Sequence, residues 1–133
     1  MTINIRVITP DKIVCSAIAD EIILPSTTGQ LGILDGHAPL ITALDIGVLR
    51  IKTDQKWTPI ILFGGFAEVD QNQITILVNG VEEAENLKLN DATIELDNAT
   101  IALDNASTNR EKIEASQNLK KASARVQAAT FLS

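Results

Sequence analysis

The segment NDATIELDNATIALDNAST, residues 90–108, sets the fold class of the second half of this 133-residue chain. It repeats after seven residues, because NDATIEL (90–96) is followed by DNATIAL (97–103) and DNAST (104–108). A seven-residue period cannot keep one face of a strand, whose period is two, but it nearly matches two helical turns. The repeat therefore predicts an amphipathic helix. Its inward-facing stripe consists of Ala92, Leu96, Ala99, Leu103 and Ala106.

A second helix is predicted to begin after Thr108, because Thr108-Asn-Arg-Glu111 has the S/T-x-x-E form of a capping box. Its inward stripe again has spacings of four and three. The stripe consists of Ala115, Leu119, Ala122, Val126 and Ala129. Two helices with matching stripes and a short link at Ser107–Asn109 predict an antiparallel helical hairpin.

The charges of the two predicted helices are opposite. Residues 87–109 carry one Lys against four acids, a net charge of −3, and residues 110–133 carry five basic against two acidic side chains, a net +3. The helices should therefore attract each other when folded back. Asp, Asn and Thr each cost roughly 0.5–0.7 kcal/mol relative to Ala in a helix, so the first helix should depend on its docking surface.

The first 80 residues contain all seven glycines and all four prolines, which punctuate short strands and turns. Predicted strands are Ile3–Val7, Ile22–Leu24, Val48–Lys52, Trp57–Phe63, Ala67–Val69 and Ile74–Val78. Predicted turns lie at Thr9–Asp11, Ser26–Gly29, Asp54–Gln55 and Asp70–Gln73. Many short strands with frequent turns predict a β-sandwich. The distribution of glycine and proline divides the chain into a sandwich domain, residues 1–86, and a hairpin domain, residues 87–133.

The composition excludes several classes of function. A net charge of −6 argues against a nucleic-acid partner, whose phosphates require Lys and Arg. No apolar run approaches the eighteen or so residues of a membrane span. Cys15 is the only cysteine, so an intrachain disulfide is impossible and a cysteine-based metal site lacks partners. We expect no metal, cofactor or catalytic residue.

Candidate sites judged from residue chemistry alone are weak. Cys15 and His37 could form a nucleophile–base pair, but no orienting group or nucleophile motif accompanies them, so a small Cys/His hydrolase is a remote alternative. Asp20–Glu21 and Glu82–Glu85 lack the spacing of a calcium loop. Gly64–Gly65 lacks the Lys-Ser/Thr of a phosphate loop and predicts a sharp bend or bulge between strands. The residues alone indicate a binding module, such as a β-sandwich adaptor with a coiled-coil partner.

The segment GILDGHAPLITALDIGVLRI (32–51) resembles the ε subunit of F-type ATP synthases. TPD at 9–11, STTGQLG at 26–32 and GGFAEV at 64–69 share the resemblance, and LKKASARVQAA at 119–129 is also similar to the family. ADEIILP, TALDIGVLRIK and KWTPIIL look most like plastid-encoded versions from algae, with cyanobacterial versions as the alternative. The resemblance implies a flattened β-sandwich followed by a two-helix hairpin, in a non-catalytic subunit.

The resemblance also implies partners for the sandwich. It places the sandwich beside the γ subunit and on the c-ring, so that the chain couples γ rotation to the c-ring during proton-driven ATP synthesis. The turn implied to face the c-ring consists of Ser26, Thr27, Thr28, Gly29 and Gln30. The neighbouring interface signature consists of His37, Ala38 and Pro39, for which shaping of the loop is the alternative role. The implied location is peripheral, through the complex, on the stromal side of the plastid thylakoid membrane, or on a cyanobacterial thylakoid. No homo-oligomer is expected.

The resemblance gives the hairpin a regulatory role. In the family the hairpin folds against the sandwich or extends along γ, and the extended form restrains ATP hydrolysis. The residues implied to meet acidic segments of the α and β subunits are Arg110, Lys112, Lys120, Lys121 and Arg125. A solvated basic face is the alternative interpretation of these five residues.

One departure from the family pattern concerns nucleotide binding. Some bacterial members bind ATP on the folded hairpin through an Asp and an Arg in an I/L-D-x-x-R-A pattern. In the corresponding run, Leu87–Ala92, Lys88 stands where the Asp should be and Asp91 where the Arg should be. Because both charges are reversed, we expect no ATP binding.

Overall fold

The computed structural model describes residues 2–132. Met1 and Ser133, the outer ends of the two predicted domains, lie outside the described residues. The described part contains eight strands followed by two helices. The strands are β1 Ile3–Ile8, β2 Ile13–Ala19, β3 Glu21–Ser26, β4 Gly29–Leu34, β5 Leu40–Thr53, β6 Lys56–Asp70, β7 Gln73–Val78 and β8 Val81–Glu83, and the helices are α1 Leu89–Asn105 and α2 Asn109–Leu132.

The strands form the predicted β-sandwich from one folded sheet. Their order is β2-β1-β7-β6-β5-β3-β4, with β8 added beside β6. β1 and β7 run parallel, and the other neighbours run antiparallel. The long strands β5 and β6 run through both layers of the sandwich. Residues 65–70 of β6 pair with β7, and residues 60–62 pair with β8. We call the layer with β1, β2 and β7 the first layer, and the layer with β3, β4 and β8 the second.

The core lies between the two layers and follows the period of two expected of strands. In β1, Ile3, Ile5 and Val7 are fully buried, while the residues between them are exposed. The other large core side chains include Ile22, Leu24, Ile33, Leu49, Leu62, Ile74 and Ile76. Each such burial contributes roughly 1.5–3 kcal/mol, so the sandwich is held mainly by aliphatic packing.

Two predicted turns are confirmed as tight hairpins. Asp54–Gln55 connects β5 to β6, and Gln71–Asn72 connects β6 to β7. All four residues have positive φ, between 50° and 66°. Two successive left-handed residues define a type I′ turn, whose twist matches that of the flanking strands.

The prediction of separate strands around Gly64–Gly65 is wrong, because both segments belong to β6. Pairing with β5 continues through the glycines, from Ile46 opposite Phe63 to Leu44 opposite Gly65. The predicted bend is present inside the strand, where Gly64 has φ 79° and Gly65 φ 151°. A Cβ at Gly65 would collide with the carbonyl oxygen of Leu77.

The bend in β6 also reverses which side chains face the core. Even-numbered residues, Ile60 and Leu62, face it before the glycines, and odd-numbered residues, Ala67 and Val69, face it afterwards. The prediction also missed β2, β4 and β8. These strands are short or contain glycine and small polar residues, which weaken the apolar pattern.

Both helices and their stripes agree with the prediction. The four predicted stripe residues within α1 and Ala106 at its C-cap are buried or half-buried, and the other residues of that helix are exposed. At the start of α2 the backbone N–H of Glu111 donates to Thr108 Oγ1 at 3.1 Å, as a capping box requires. The Glu111 carboxylate reaches the N–H of Ser107 at 3.2 Å, one residue earlier than the standard box.

The hairpin is folded against the sandwich, with α2 as the inner helix. α2 packs on β5 and β6, whereas α1 packs on α2. A second apolar cluster joins α2 to the outer face of the second layer. It consists of Val48, Ile61, Ala84, Ala124 and Ala128, with Phe63 and Leu87 at its edge. The predicted division at residues 86 and 87 lies between β8 and α1, beside this shared cluster, and the independence of the two domains stays a prediction.

Candidate functional site

The turn predicted to face the c-ring is a tight connection between β3 and β4. Ser26 is only 9% exposed, and its hydroxyl donates to the carbonyl of Gly29 and accepts from the N–H of Thr28 at 3.3 Å. The N–H of Thr27 donates to the carbonyl of Ala43 in β5 at 3.1 Å. Gly29 has φ 126°, which side chains rarely tolerate. These bonds fix the backbone and leave Thr27, Thr28, Gly29 and Gln30 exposed.

The predicted interface signature at His37, Ala38 and Pro39 lies in the loop before β5. The half-buried His37 ring places Nδ1 2.7 Å from the carbonyl oxygen of Ala38. The N–H of Gly36 donates to Asn72 Oδ1 at 2.7 Å, which attaches this loop to the β6–β7 turn. Ala38 and Pro39 are exposed. The described contacts attach this loop to Asn72 and the β3–β4 turn to β5.

Cys15 gives no support to a hydrolase. Burial raises the pKa of its thiol above the ordinary value, which lowers the thiolate fraction needed for nucleophilic attack. Among residues 2–132, no hydrogen bond joins Cys15 to His37. The same part of the chain holds no group of three or more His, Cys, Asp or Glu side chains arranged to bind a metal ion.

The five predicted regulatory basic residues of α2 divide into two groups. Arg110, at the free end of the hairpin, forms an exposed pair with Glu114 at 3.3 Å, and Lys112 beside it is also exposed. The other three contact the sandwich, and Arg125 also contacts α1. These contacts are Lys120 to Asp45 at 3.4 Å, Lys121 over the Phe63 ring at 4.8 Å, and Arg125 to Glu82 and Glu95.

Arg125 has the most enclosed of the described ion pairs. Its Nε and one terminal nitrogen donate to the two carboxylate oxygens of Glu82, at 2.8 and 3.0 Å. Another terminal nitrogen lies 3.6 Å from Glu95. The hydrogen bond to Glu82 raises the pKa of Arg125 and outweighs the opposing effect of burial, with a smaller contribution from Glu95. Arg125 therefore contacts β8 and α1 from its position in α2.

The end of α2 lies against an aromatic and basic cluster that the sequence prediction missed. The Arg50 guanidinium lies 4.3 Å from the Phe131 ring centroid and 5.5 Å from that of Trp57. Arg50 also donates to Gln30 of the β3–β4 turn at 3.4 Å. The alternation of β5 placed Arg50 on an outward face, but nothing local indicated that Phe131 would reach it.

A large apolar face also escaped prediction. Ile41, Phe66 and Leu77 are 73%, 59% and 52% exposed, and they lie on the adjacent strands β5, β6 and β7. Phe66 is directly opposite Leu77 in the register. We call the outer surface of the first layer around these three residues the apolar face. An open cleft of about 810 Å³ adjoins it, and its lining includes Phe66, Leu77 and Pro10.

The comparisons with known proteins decide the family. A model of the family described as "ATP synthase, Delta/Epsilon chain, beta-sandwich domain" matches residues 2–84. The chloroplastic ATP synthase epsilon chain of Pyropia yezoensis is 64% identical, over 98% of this chain and 97% of that one. Those of Porphyra purpurea and Phaeodactylum tricornutum are 63% and 57% identical, over 100% of this chain and 99% and 100% of theirs. This chain belongs to the ATP synthase epsilon chain family.

Chains in two solved ATP synthase structures have the same fold. A chain of the Euglena gracilis mitochondrial ATP synthase, OSCP/F1/c-ring, matches with a TM-score of 0.83 at 19% identity, over 97% of this chain and 81% of that one. A chain of the Tetrahymena thermophila mitochondrial ATP synthase, central stalk/c-ring, matches with a TM-score of 0.65 at 18% identity, over 97% of both chains. At these identities the likeness concerns the fold.

Membership of the epsilon chain family confirms the resemblance drawn from residues 32–51 and the plastid location. The chain is a non-catalytic subunit of the ATP synthase complex, which removes the hydrolase and the free-standing adaptor as alternatives. Within residues 2–132, neither helix has the length and apolar character of a membrane span.

Proposed function

We propose that this epsilon chain couples rotation of the γ subunit to the c-ring through its sandwich, and that its hairpin restrains ATP hydrolysis. The apolar face is the observation that carries the proposal. A rigid sheet with an exposed contiguous apolar surface is suited to a permanent partner, because such patches mark protein interfaces. Torque transmission requires a broad, stiff contact rather than a reactive group.

The γ subunit is the proposed occupant of the apolar face. Phe66 and Leu77 are directly opposite each other in neighbouring strands, so a partner could cover both with one surface. Glu68 is the only charged residue among those lining the shallow pocket that Ile41, Phe66 and Leu77 share. A stalk subunit that remains bound through every rotation would cover this face continuously and remove it from water.

The c-ring is the proposed partner of the β3–β4 turn. Thr27, Thr28 and Gln30 expose polar side chains on a backbone that Ser26 and Gly29 hold in one conformation. Polar contacts from a fixed turn can transmit a sideways force without a large buried area. His37, Ala38 and Pro39, in the loop that follows the opposite end of β4, are proposed as a further interface with the complex.

The basic side chains of α2 support a brake that is inactive in the folded hairpin. Lys120, Lys121 and Arg125 contact Asp45, Phe63 and Glu82 of the sandwich. Contacts with acidic segments of the α and β subunits would compete with these three contacts. We therefore propose that the hairpin must leave the sandwich before these residues restrain hydrolysis. Arg110 and Lys112 are exposed in the folded hairpin and available for a first contact.

Partner subunits, rather than a helix within residues 2–132, are the proposed link between the chain and the membrane. We propose that the chain lies on the stromal side of the plastid thylakoid membrane, held there by γ and the c-ring. Release of the chain together with γ, rather than with lipid, is expected when the complex is dissociated from the membrane.

The experiment for the proposed function is γ binding by the full chain after a charge is introduced on the apolar face. Phe66→Glu should weaken binding at least tenfold, because a carboxylate would be buried against an apolar partner. Ile113→Glu is the matched control, since Ile113 is 60% exposed against 59% for Phe66 but lies on the hairpin. Equal γ affinities for the two variants would reject the apolar face as the γ site.

A further inference from the structure

The attachment of the hairpin to the sandwich relies on few side chains. The buried α2 residues in the apolar cluster against the second layer are two alanines, Ala124 and Ala128. An alanine contributes one methyl group, so the apolar contribution of the helix to docking is small. α1 packs on α2, and no strand within residues 2–132 makes a comparable contact with it. Apart from the Phe131 ring against Arg50 at the end of α2, polar contacts therefore hold much of the hairpin closed.

Among the ion pairs of residues 2–132, those of Arg125 join three elements, because Arg125 of α2 contacts both β8 and α1. It binds Glu82 of β8 through two hydrogen bonds, at 2.8 and 3.0 Å, and approaches Glu95 of α1 to 3.6 Å. The side chains of Arg125 and Glu82 are 27% and 31% exposed, whereas those of Lys120 and Asp45 are 52% and 45% exposed. A two-bond pair that is partly shielded from water is stronger than an exposed single contact.

We propose that Arg125 is a clasp that couples the two helices of the hairpin, so that loss of its Glu82 partner loosens α1 as well as α2. Glu82 makes two bonds that fix the guanidinium plane, and the fixed plane directs the remaining nitrogen toward Glu95. Without Glu82 the long Arg125 side chain can rotate, and Glu95 loses an oriented partner. The helix that packs mainly on α2 is thus held closed through a residue of the sandwich.

Because of the clasp, docking of the hairpin on the sandwich and binding of Arg125 by a partner protein exclude each other. A carboxylate of another protein that takes the Arg125 guanidinium must displace the Glu82 carboxylate from the same two nitrogens. The hairpin would then lose its contact with β8 and its oriented contact with α1 in one step. This coupling stands on contacts within the chain and does not depend on the proposed contact with γ.

Hydrogen exchange of the full chain, followed by mass spectrometry, tests the clasp. Glu82→Gln should raise the exchange rates of amides in residues 92–99 of α1 and 122–128 of α2 roughly tenfold, because a hydrogen-bonded charge pair is lost. The amides of β1 and β7 should keep their rates and report an intact sandwich. Arg110→Gln is the control, because it removes an exposed pair of the same helix, and it should change the rates less than twofold.

Two further variants separate a clasp from general destabilisation. Arg125→Lys keeps the charge but not the two-bond fork, so it should reproduce most of the Glu82→Gln effect. Glu82→Gln combined with Arg125→Met should exchange no faster than Arg125→Met alone. Faster exchange confined to α2, additive effects in the double variant, or Glu82→Gln rates equal to those of Arg110→Gln would each overturn the proposal.

Discussion

The sandwich and the hairpin of this epsilon chain are held together by different forces. The sandwich buries long aliphatic side chains such as Ile5, Leu49 and Leu62 completely. The hairpin buries mainly alanines and depends on Arg125 and its two carboxylate partners. Aliphatic packing suits a stiff body, whereas small residues and ion pairs suit the arm that we propose leaves its docking site.

The largest expected difference between the two regions is the cost of removing one leucine. Leu62→Ala should lower the free energy of unfolding by about 2–5 kcal/mol, because Leu62 is fully buried and its loss leaves a cavity. Leu96 is a half-buried residue of α1, so Leu96→Ala should lower the free energy of unfolding by about 1 kcal/mol or less. Urea unfolding monitored by circular dichroism checks both values. Equal costs would contradict the contrast between the two regions.

Removal of the whole hairpin should be tolerated by the sandwich. A fragment of residues 1–86 is expected to be soluble, mainly β by circular dichroism, and able to bind γ, because the main core contains no helical residue. It should lose some stability where Val48 and Ile61 become exposed. The comparison is the full chain under the same conditions. An unfolded fragment beside a folded full chain would contradict the predicted domain boundary.

Charge reversal in α2 should have a smaller effect than its removal. Replacing Lys120, Lys121 and Arg125 by Glu is expected to raise ATP hydrolysis by the reconstituted enzyme to about half the level reached without the hairpin, since like charges would face acidic partners. The same reversal should also undock the hairpin from Asp45 and Glu82. Reversal of Arg110 and Lys112 serves as a comparison at the free end. Hydrolysis unchanged by either reversal would favour the solvated-face interpretation.

The smallest expected signal concerns nucleotide. The isolated subunit should give no heat of binding with MgATP up to about millimolar concentration in calorimetry. Asp91 is exposed on the first turn of α1. Repulsion between its carboxylate and a bound phosphate would weaken the binding free energy by roughly 3 kcal/mol at an effective dielectric constant of about 20, and by less where solvent screens the charges. Lys88 precedes the helix, at its N-cap position. A low-micromolar dissociation constant would disprove this prediction.

Local patterns in the sequence predicted much of the fold. The heptad repeat placed Ala92, Leu96 and Leu103 on the inner side of α1, and Thr108 caps α2 as expected. Such features depend on residues a few positions apart. The continuity of β6 through Gly64–Gly65 depends on pairing with β5, about twenty residues earlier in the chain, so the glycines alone suggested two strands.

The surfaces were harder to predict because they depend on distant parts of the chain. Ile41, Phe66 and Leu77 are apolar, and alternation cannot distinguish the core side of a strand from an outer side that is also apolar. Ala124 and Ala128 carry too weak a hydrophobic signal to mark a second buried face of α2. Arg125 and Glu82 are 43 positions apart, so their pairing follows from the tertiary fold.

Hydrolysis of ATP by the reconstituted enzyme, with and without residues 88–133 of this chain, tests the proposed division of labour most directly. The account predicts that deletion leaves assembly and γ binding intact and raises hydrolysis about fivefold or more, at the lower end of usual coupling free energies. A fully assembled enzyme whose hydrolysis is unchanged by the deletion would contradict it and place the restraint outside the hairpin.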